Sequence, residues 1–438
     1  MPKFFFRLDA RLRRWGWLVL AVFALVTTGH RLALTAPSPN RLRFSHTFTA
    51  ESERAILDAA VAEFEQTHPP VKIEQTVLNS ETYQTLGWRL QFRGRQPPDV
   101  FFSWQGFKVE RAIDRGWAME LTPYLSPGFT NEFVPAALTA QRGGIYFLPQ
   151  SVDISTLIWY QRPLFAQRGW SEPKSMEAWV QQCVELRRSG VLPLAQGNRD
   201  LWPMGNFGSE LLGQSLGADG LRRLFQPGAT VSAADLRGLG AFETLRRGGG
   251  FDLPGVLDGN AIGAMTDIDA KILFLAGKSA QHAVGSWFLA DIADARNKHE
   301  LAFPVGVFAV PSGAGELDAM TTVTTGYAVN PASRNPRAAV AFLELLLSRK
   351  YQSRFAELGN LSARRDAAEF MTEPLAKQML SILAGTTVTV PPPDTGYRPE
   401  QAAIFYEVCG RILTGKLDLT QAAAYWNREK QALAQKGL

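Results

Sequence analysis

The apolar and polar residues after residue 40 switch repeatedly between the spacing of a strand and that of a helix. In residues 51–68 apolar side chains recur every three or four positions, and Thr49 or Ser52 is a candidate N-cap for the predicted helix. The alternation predicts an α/β fold with crossover helices. In order, the predicted elements are a strand at 41–47, a helix at 51–68, a strand at 71–77, a helix around Leu86 and a buried parallel strand at 99–104.

Two apolar runs of strand length, residues 145–148 and 157–160, flank a polar stretch that contains Asp153. Pro149 cannot donate a hydrogen bond to a neighbouring strand, so we expect two strands joined by the polar connector 150–156 rather than one continuous strand. Two interpretations fit the spacing. The chain either crosses here from one lobe to another, which would place a ligand site at the junction, or makes an ordinary surface connection within one sheet.

The composition indicates a globular protein of two or three domains, since the chain has 438 residues with 46% hydrophobic and 20% charged side chains. Its net charge of +5 comes from one end. Eight of the 46 basic residues and one of the 41 acidic residues precede residue 44, which leaves 38 basic and 40 acidic residues in the remainder. The basic balance therefore gives no support to nucleic-acid binding.

The N-terminus has the pattern of an export signal. Basic residues at Arg7, Arg11, Arg13 and Arg14 precede residues 15–26, twelve positions without a charge. Residues 1–40 are accordingly expected to be a signal peptide or an uncleaved membrane anchor, followed by a short linker. Either alternative places the rest of the chain in the periplasm or on the outer face of the inner membrane.

Motifs for catalysis, cofactors or metals are missing from the sequence. It contains no HExxH, no GxSxG and no paired-cysteine metal spacing. Residues 410–416 have the glycine and lysine spacing of a phosphate loop but lack the hydroxyl residue that must follow, so they are interpreted as a helix end and turn. Asp267 and Asp269 fall short of a calcium loop and are interpreted as a solvated loop. The two cysteines, Cys183 and Cys409, either pair or remain buried thiols.

Several segments together resemble the extracellular solute-binding proteins of carbohydrate ABC importers, the family that includes the maltose- and multiple-sugar-binding proteins. They occur in the family's order and cover most of residues 44–360. The segments are FEQTHPPVKIE at 64–74, PPDVFFSW at 97–104, LTPYL at 121–125, GIYFLPQSVDISTLIWYQRPLF at 144–165, GWSEPKSMEAWVQQCVELRRSGVLPLA at 169–195, AGKSAQHAVGSWFLADI at 276–292, PVGVFAVPSG at 304–313 and GYAVNPASRNPRAAVAFLELLLS at 326–348.

The resemblance implies two α/β lobes of the type II periplasmic-binding-protein kind, joined by hinge crossovers that let the lobes close on a ligand. Lobe one would comprise residues 41–150 and 312–360, and lobe two residues 153–310 and 361–438. It also implies a monomer that is not an enzyme, needs no cofactor or metal, and delivers a sugar or oligosaccharide to inner-membrane ABC permease subunits.

Sugar sites combine aromatic rings, which stack on the C–H faces, with amide and carboxylate groups that hydrogen-bond the hydroxyls. The resemblance assigns such roles to Trp104 with Gln105 beside it, to Asp153 and to Trp287, which follows a predicted strand. The tryptophans also fit core packing, and Asp153 fits a turn.

Four further residues are candidates for the same cleft. Trp202 and Tyr327 fit either a ligand contact or core packing, and His46 and Glu51 lie in the first strand-to-helix loop. Glu51 is equally compatible with a solvated helix N-terminus.

Two rival functions also fit the sequence. The same fold could bind a non-sugar solute, a polyamine or a polyol phosphate, in which case the cleft would be ringed by carboxylates or by arginines. Alternatively, the chain could be a membrane-tethered sensory module, which an uncleaved N-terminus would favour.

Overall fold

The computed structural model describes residues 40–226, 228–252, 261–311, 319–386 and 388–436. The predicted export segment lies outside these ranges apart from its last residue. Among the described residues, no helix is both long enough and apolar enough to cross a membrane.

Within these described ranges, ten strands form two mixed sheets, which confirms the predicted α/β fold. Sheet one has the order β10-β9-β3-β1-β2 with β4 also paired to β9, and sheet two has the order β6-β7-β5-β8. The strands are β1 (Arg41–His46), β2 (Lys72–Val77), β3 (Val100–Trp104), β4 (Leu148–Ile154), β5 (Leu157–Gln161), β6 (Leu192–Ala195), β7 (Ser279–Val284), β8 (Val305–Ala309), β9 (Ala319–Val329) and β10 (Val388–Val390).

Helices flank both sheets. They are α1 (Glu51–Thr67), α2 (Ser80–Thr82), α3 (Trp88–Arg93), α4 (Phe107–Asp114), α5 (Arg162–Gln167), α6 (Met176–Arg188), α7 (Trp202–Leu224), α8 (Gly240–Arg247), α9 (Asp267–Leu275), α10 (Phe288–Asn297), α11 (Pro336–Leu346), α12 (Arg349–Glu357), α13 (Ala367–Phe370), α14 (Pro374–Ala384), α15 (Pro393–Gly396), α16 (Pro399–Leu413) and α17 (Leu419–Gln435). A π-helical turn, Tyr83–Gly87, joins α2 to α3.

The first predicted elements are confirmed within one or two residues. In sheet one, β1 pairs in parallel with β2 and with β3, as the pattern predicts. On its other side β3 pairs antiparallel with β9, so the predicted parallel strand lies in a mixed sheet.

The predicted N-cap of α1 is wrong. Ala50 is the capping position and offers no side-chain acceptor. The carboxylate of Asp294, in α10, accepts hydrogen bonds from the backbone amides of Glu51 (2.8 Å) and Ser52 (3.2 Å) instead. An acceptor 242 to 243 positions away satisfies these amides, and no local pattern can reveal it.

The predicted division of the stretch 145–160 is partly wrong. A strand does not span 145–148; β4 begins at Leu148 and continues through Pro149 and Asp153. Pro149 is tolerated because the ladder between β4 and β9 shifts register there, so its missing N–H breaks no regular pairing.

The expected crossing between lobes is nevertheless confirmed. Only Ser155 and Thr156 separate β4 in sheet one from β5 in sheet two. The long strand β9 runs antiparallel to β4, and the Ser155 amide donates to the Thr321 carbonyl (2.9 Å) at the point of crossing. Two antiparallel strands therefore lead from one lobe to the other.

The structure also shows the state of the two cysteines, of the loop at 410–416 and of the acidic pair Asp267 and Asp269. Cys183 and Cys409 are free and buried in the core that α7 and α16 share. Residues 410–416 are the end of α16 and a turn, as predicted. Asp267 and Asp269 do not form a solvated loop; they begin α9, where Asp269 and Thr266 make a capping box.

Candidate functional site

A cavity of about 670 Å³ lies between the two lobes, within the size range of small-molecule sites. One wall comes from α2 to α4 and the end of β3, and the other from the loop before α7 and from α15 and α16. Its lining residues are Glu81, Gln84, Trp88, Arg89, Trp104, Phe107, Lys108, Arg111, Arg115, Trp117, Arg199, Asp200, Leu201, Trp202, Asp394, Pro399, Ala402, Ala403 and Tyr406.

Trp104 reaches the cavity because it ends β3, at the carboxyl edge of the parallel pairing with β1. The Lys108 ammonium lies 4.1 Å from the centre of its ring. Lys108 also donates to Gln84 of the π-helical turn and lies 3.6 Å from the Asp394 carboxylate in α15. The lysine therefore links the two walls directly beside the indole.

Trp202 reaches the opposite wall through an unusual turn. Its backbone amide donates to the Asp200 carbonyl (2.8 Å), and Leu201 between them has φ 66° and ψ −43°. These angles belong to a γ-turn of the strained kind that L-residues rarely adopt. The turn is held in place because the Asp200 carboxylate accepts from the Asp267 amide (3.1 Å) at the start of α9.

We expect Leu201→Gly to be more stable than Leu201→Ala by about 1 kcal/mol. Glycine relieves a backbone strain of about 1–3 kcal/mol at an entropic cost of about 0.4–1 kcal/mol. Both variants lose the buried part of the Leu201 side chain, which is 43% exposed, so their difference reports mainly the backbone. Urea unfolding of both variants measures the effect, and a Leu201→Gly no more stable than Leu201→Ala would show that this turn stores no strain.

Trp287 lies next to Trp202 but outside the cavity lining, with ring centres 5.9 Å apart. It is the residue before α10 and packs against the cores of both sheets. The Trp202 indole N–H has no hydrogen-bond acceptor in the described part of the chain. A ligand hydroxyl at the cavity wall would supply one.

Asp153 is buried where the chain crosses between lobes. Its carboxylate accepts from the Ser286 hydroxyl (2.8 Å), which follows β7 in sheet two, and from the Ser151 hydroxyl in β4. Burial raises the pKa of Asp153 to about 6, and the two serine hydrogen bonds offset part of the rise. The residue therefore joins the lobes and does not line the cavity.

The raised pKa of Asp153 predicts that the free energy of unfolding depends on pH. The folded chain binds the Asp153 proton more tightly than the unfolded chain, whose aspartate pKa is about 3.9, so the free energy of unfolding falls as pH rises from about 4 to 6. Asp153→Asn removes this titration. We expect the variant to match the wild type near pH 4 and to be more stable by roughly 2 kcal/mol at pH 7.5.

Denaturant unfolding at several pH values checks this expectation. Asp219→Asn is the matched control because its side chain is 99% exposed, and it should change little at any pH. A stability difference for Asp153→Asn that does not vary with pH would contradict the buried titration.

Three of the remaining candidates are held within lobe one, outside the cavity lining. His46 is buried and hydrogen-bonds Gln75 (3.0 Å), and burial lowers its pKa to about 4. The buried Tyr327 hydroxyl donates to Gln150. The Gln105 amide donates to the Ala137 carbonyl (3.0 Å) and to Thr139.

Glu51 also lies outside the cavity lining. It is exposed at the start of α1, and its carboxylate lies 3.2 Å from the Lys298 ammonium just after α10. The cavity thus brings together Trp104 and Trp202, and a ligand role for any of the eight candidates stays a prediction.

Sequence reasoning missed the cationic and aromatic residues on the lobe-one wall: Trp88, Arg89, Arg111, Arg115 and Trp117. The spacing of the arginines could have revealed part of this wall. Arg89 and Arg93 are four positions apart, as are Arg111 and Arg115, and residues four apart lie on one face of a helix. Sequence reasoning also missed Tyr406, which lines the opposite wall. Its ring packs on α7 at Gly205, where a Cβ would lie 1.9 Å from it.

The model of a family described as bacterial extracellular solute-binding protein matches residues 50–353. An uncharacterized ABC transporter extracellular-binding protein of Pyrococcus horikoshii is 24% identical over 395 residues, which cover 86% of this chain and 85% of that protein.

Solved structures share the fold at low sequence identity. The maltose/maltodextrin-binding domain of Bdellovibrio bacteriovorus bound to maltotriose has a TM-score of 0.69 at 18% identity, covering 90% of this chain and all of that one. A chitin oligosaccharide binding protein has a TM-score of 0.73 at 20% identity, covering 91% of this chain and all of that one.

Proposed function

The chain belongs to the family of bacterial extracellular solute-binding proteins, and we propose that it captures a sugar or oligosaccharide in the cavity between its lobes. In this proposal it delivers the ligand to an ABC permease in the inner membrane. The single observation that carries the proposal is that Trp104 and Trp202 enter one cavity from opposite lobes. Indoles that line a cavity from opposite walls suit contact with the C–H faces of sugar rings.

Other features support the proposal. Structural relatives of the same fold include a maltose/maltodextrin-binding domain bound to maltotriose and a chitin oligosaccharide binding protein. The unpartnered Trp202 N–H and the nearby Asp200 carboxylate supply a donor and an acceptor for hydroxyl groups.

The division into lobes belongs to the same proposal. Lobe one comprises residues 41–150 and 312–360, and lobe two comprises 153–310 and 361–438. The chain acts as a monomer on the periplasmic side of the membrane, either released or held by its N-terminus. It binds its ligand without transforming it.

Recovery of the ligand tests both binding and the absence of turnover. The full-length protein is incubated with oligosaccharide mixtures from starch, xylan, chitin and pectin, separated from free sugar, and its bound fraction is identified by mass spectrometry. We expect one class of oligosaccharide to be retained with unchanged mass, at an affinity of about 1 μM, or about −8 kcal/mol. Retention of none would contradict the proposal, and shortened products would indicate an enzyme.

A further inference from the structure

Four arginines form a cationic surface beside the cavity, on two neighbouring helical segments of lobe one. Arg89 and Arg93 lie one turn apart on α3, while Arg111 and Arg115 lie one turn apart at the end of α4. Three of them, all except Arg93, line the cavity. We call these four residues the arginine wall.

In the described part of the chain, no carboxylate forms an ion pair with the arginine wall. Two of the nearby carboxylates are engaged elsewhere, since Asp114 pairs with Arg142 and Asp394 pairs with Lys108. Among the residues that the structure describes, none of the four guanidinium groups pairs with a carboxylate or donates a hydrogen bond to a protein atom. Like charges four residues apart on a helix repel.

The other three charges are close enough to affect Arg115. Partial desolvation, and then the positive charges of Arg111, Arg89 and Arg93, lower the pKa of Arg115. The Arg115 guanidinium also lies over the Trp117 ring, 4.9 Å from its centre, which fixes its position in the wall. The helix dipole favours cations at the end of α4, but it offsets only part of the repulsion.

The opposite lobe adds a further cation, Arg199, to the same cavity. Lys108 and Asp394 neutralise each other. The other charged residues of the lining are two carboxylates, Glu81 and Asp200, and four arginines: the three lining members of the arginine wall and Arg199. The cavity is therefore positive, although residues 44–438 as a whole are slightly acidic. A positive cavity disfavours a polyamine and favours a ligand that carries negative charge.

We propose that the ligand of this cavity is an anionic carbohydrate, whose carboxylate or phosphate group binds the arginine wall while its rings contact the indoles of Trp104 and Trp202. This inference rests on the proposed function. The planar guanidinium group can donate two parallel hydrogen bonds to either anion, which suits a uronic acid or a sugar phosphate equally.

Calorimetric titration of the full-length protein tests the inference. The probes are oligogalacturonates of two to four units, the same oligosaccharides with their carboxylates methyl-esterified, glucose 6-phosphate, and neutral malto- and xylo-oligosaccharides. We expect a charged probe to bind at least about tenfold more tightly than its neutral counterpart, because hydrogen bonds to charged groups are the stronger class. Its affinity should fall as salt is raised from 50 to 500 mM.

The double variant Arg111→Gln/Arg115→Gln should weaken binding of that charged probe by about 10- to 100-fold. Its thermal unfolding should stay at or above the wild-type temperature, because the substitutions relieve repulsion. Lys174→Gln/Arg188→Gln removes two exposed charges on lobe two and is the matched control, with no expected change in affinity. Binding of the oligogalacturonate alone would identify a uronic acid as the ligand group, and binding of glucose 6-phosphate alone would identify a phosphate.

The contrary outcomes separate the two proposals. Binding of neutral probes alone, unchanged in the Arg111→Gln/Arg115→Gln variant, would overturn the anionic ligand and leave the carbohydrate function intact. Binding of no probe in either set would overturn both.

Discussion

Trp202→Ala should weaken carbohydrate binding by roughly 30-fold or more, equivalent to about 2 kcal/mol. The substitution removes the indole that lines the cavity from lobe two, together with an N–H that has no acceptor in the described structure. It also removes the ring contact with Trp287. Calorimetric titration with the ligand recovered from the wild type measures the loss.

Trp170→Ala is the matched control for this substitution. Trp170 is also partly buried in lobe two and packs on Phe165 with ring centres 5.5 Å apart, but it lies outside the cavity between the lobes. It should lower stability while leaving the affinity unchanged. If both variants bind like the wild type, the cavity is not the ligand site.

Gly106→Ala should reduce affinity by at least about tenfold, through the closed arrangement of the lobes rather than through a ligand contact. Gly106 has φ 92° and ψ −141°, angles that favour glycine, and an added Cβ would lie 2.5 Å from the Thr395 carbonyl oxygen. Gly106 precedes α4 on the lobe-one wall, and Thr395 lies in α15 on the other wall. The clash and strain, of about 1–3 kcal/mol or more, should therefore push the two walls apart.

Small-angle scattering of the ligand-saturated variant should show a larger radius of gyration than that of the wild type. Gly190→Ala is the control, because Gly190 also has a positive φ (76°) but has nothing within 4 Å of an added Cβ. It should lower stability without changing affinity or dimensions. Wild-type affinity in Gly106→Ala would mean that this contact between the walls plays no part in binding.

Much of the architecture could be predicted from sequence because it depends on local periodicity. The buried faces of β1 and α1 follow spacings of two and of three to four residues, and both elements were found within one residue. The crossing between sheets was also predictable, since a polar break divides two apolar runs. The strand before the crossing was misplaced, because Pro149 was expected to end it. Pro149 is instead accommodated by a register shift against β9, a strand about 170 residues later.

The candidate site was only partly predictable, because it depends on contacts between distant segments. Trp104 could be placed in the cavity because it ends a predicted strand. Trp202 depends on a turn at Leu201 that Asp267 holds, and the tie between Lys108 and Asp394 joins residues 286 positions apart. The arginine wall was overlooked because its two pairs lie on separate helices, whose packing brings the charges together.

A thermal-shift screen of the full-length protein against neutral and acidic oligosaccharides, sugar phosphates, polyamines and polyol phosphates tests the central claim most directly. A ligand at about 100 times its Kd should stabilise the chain by about 2.7 kcal/mol. We predict a shift with one class of carbohydrate, and a much smaller shift for the same probe with Trp202→Ala. A shift with polyamines or polyol phosphates alone, and with no carbohydrate, would contradict capture of a sugar between the lobes.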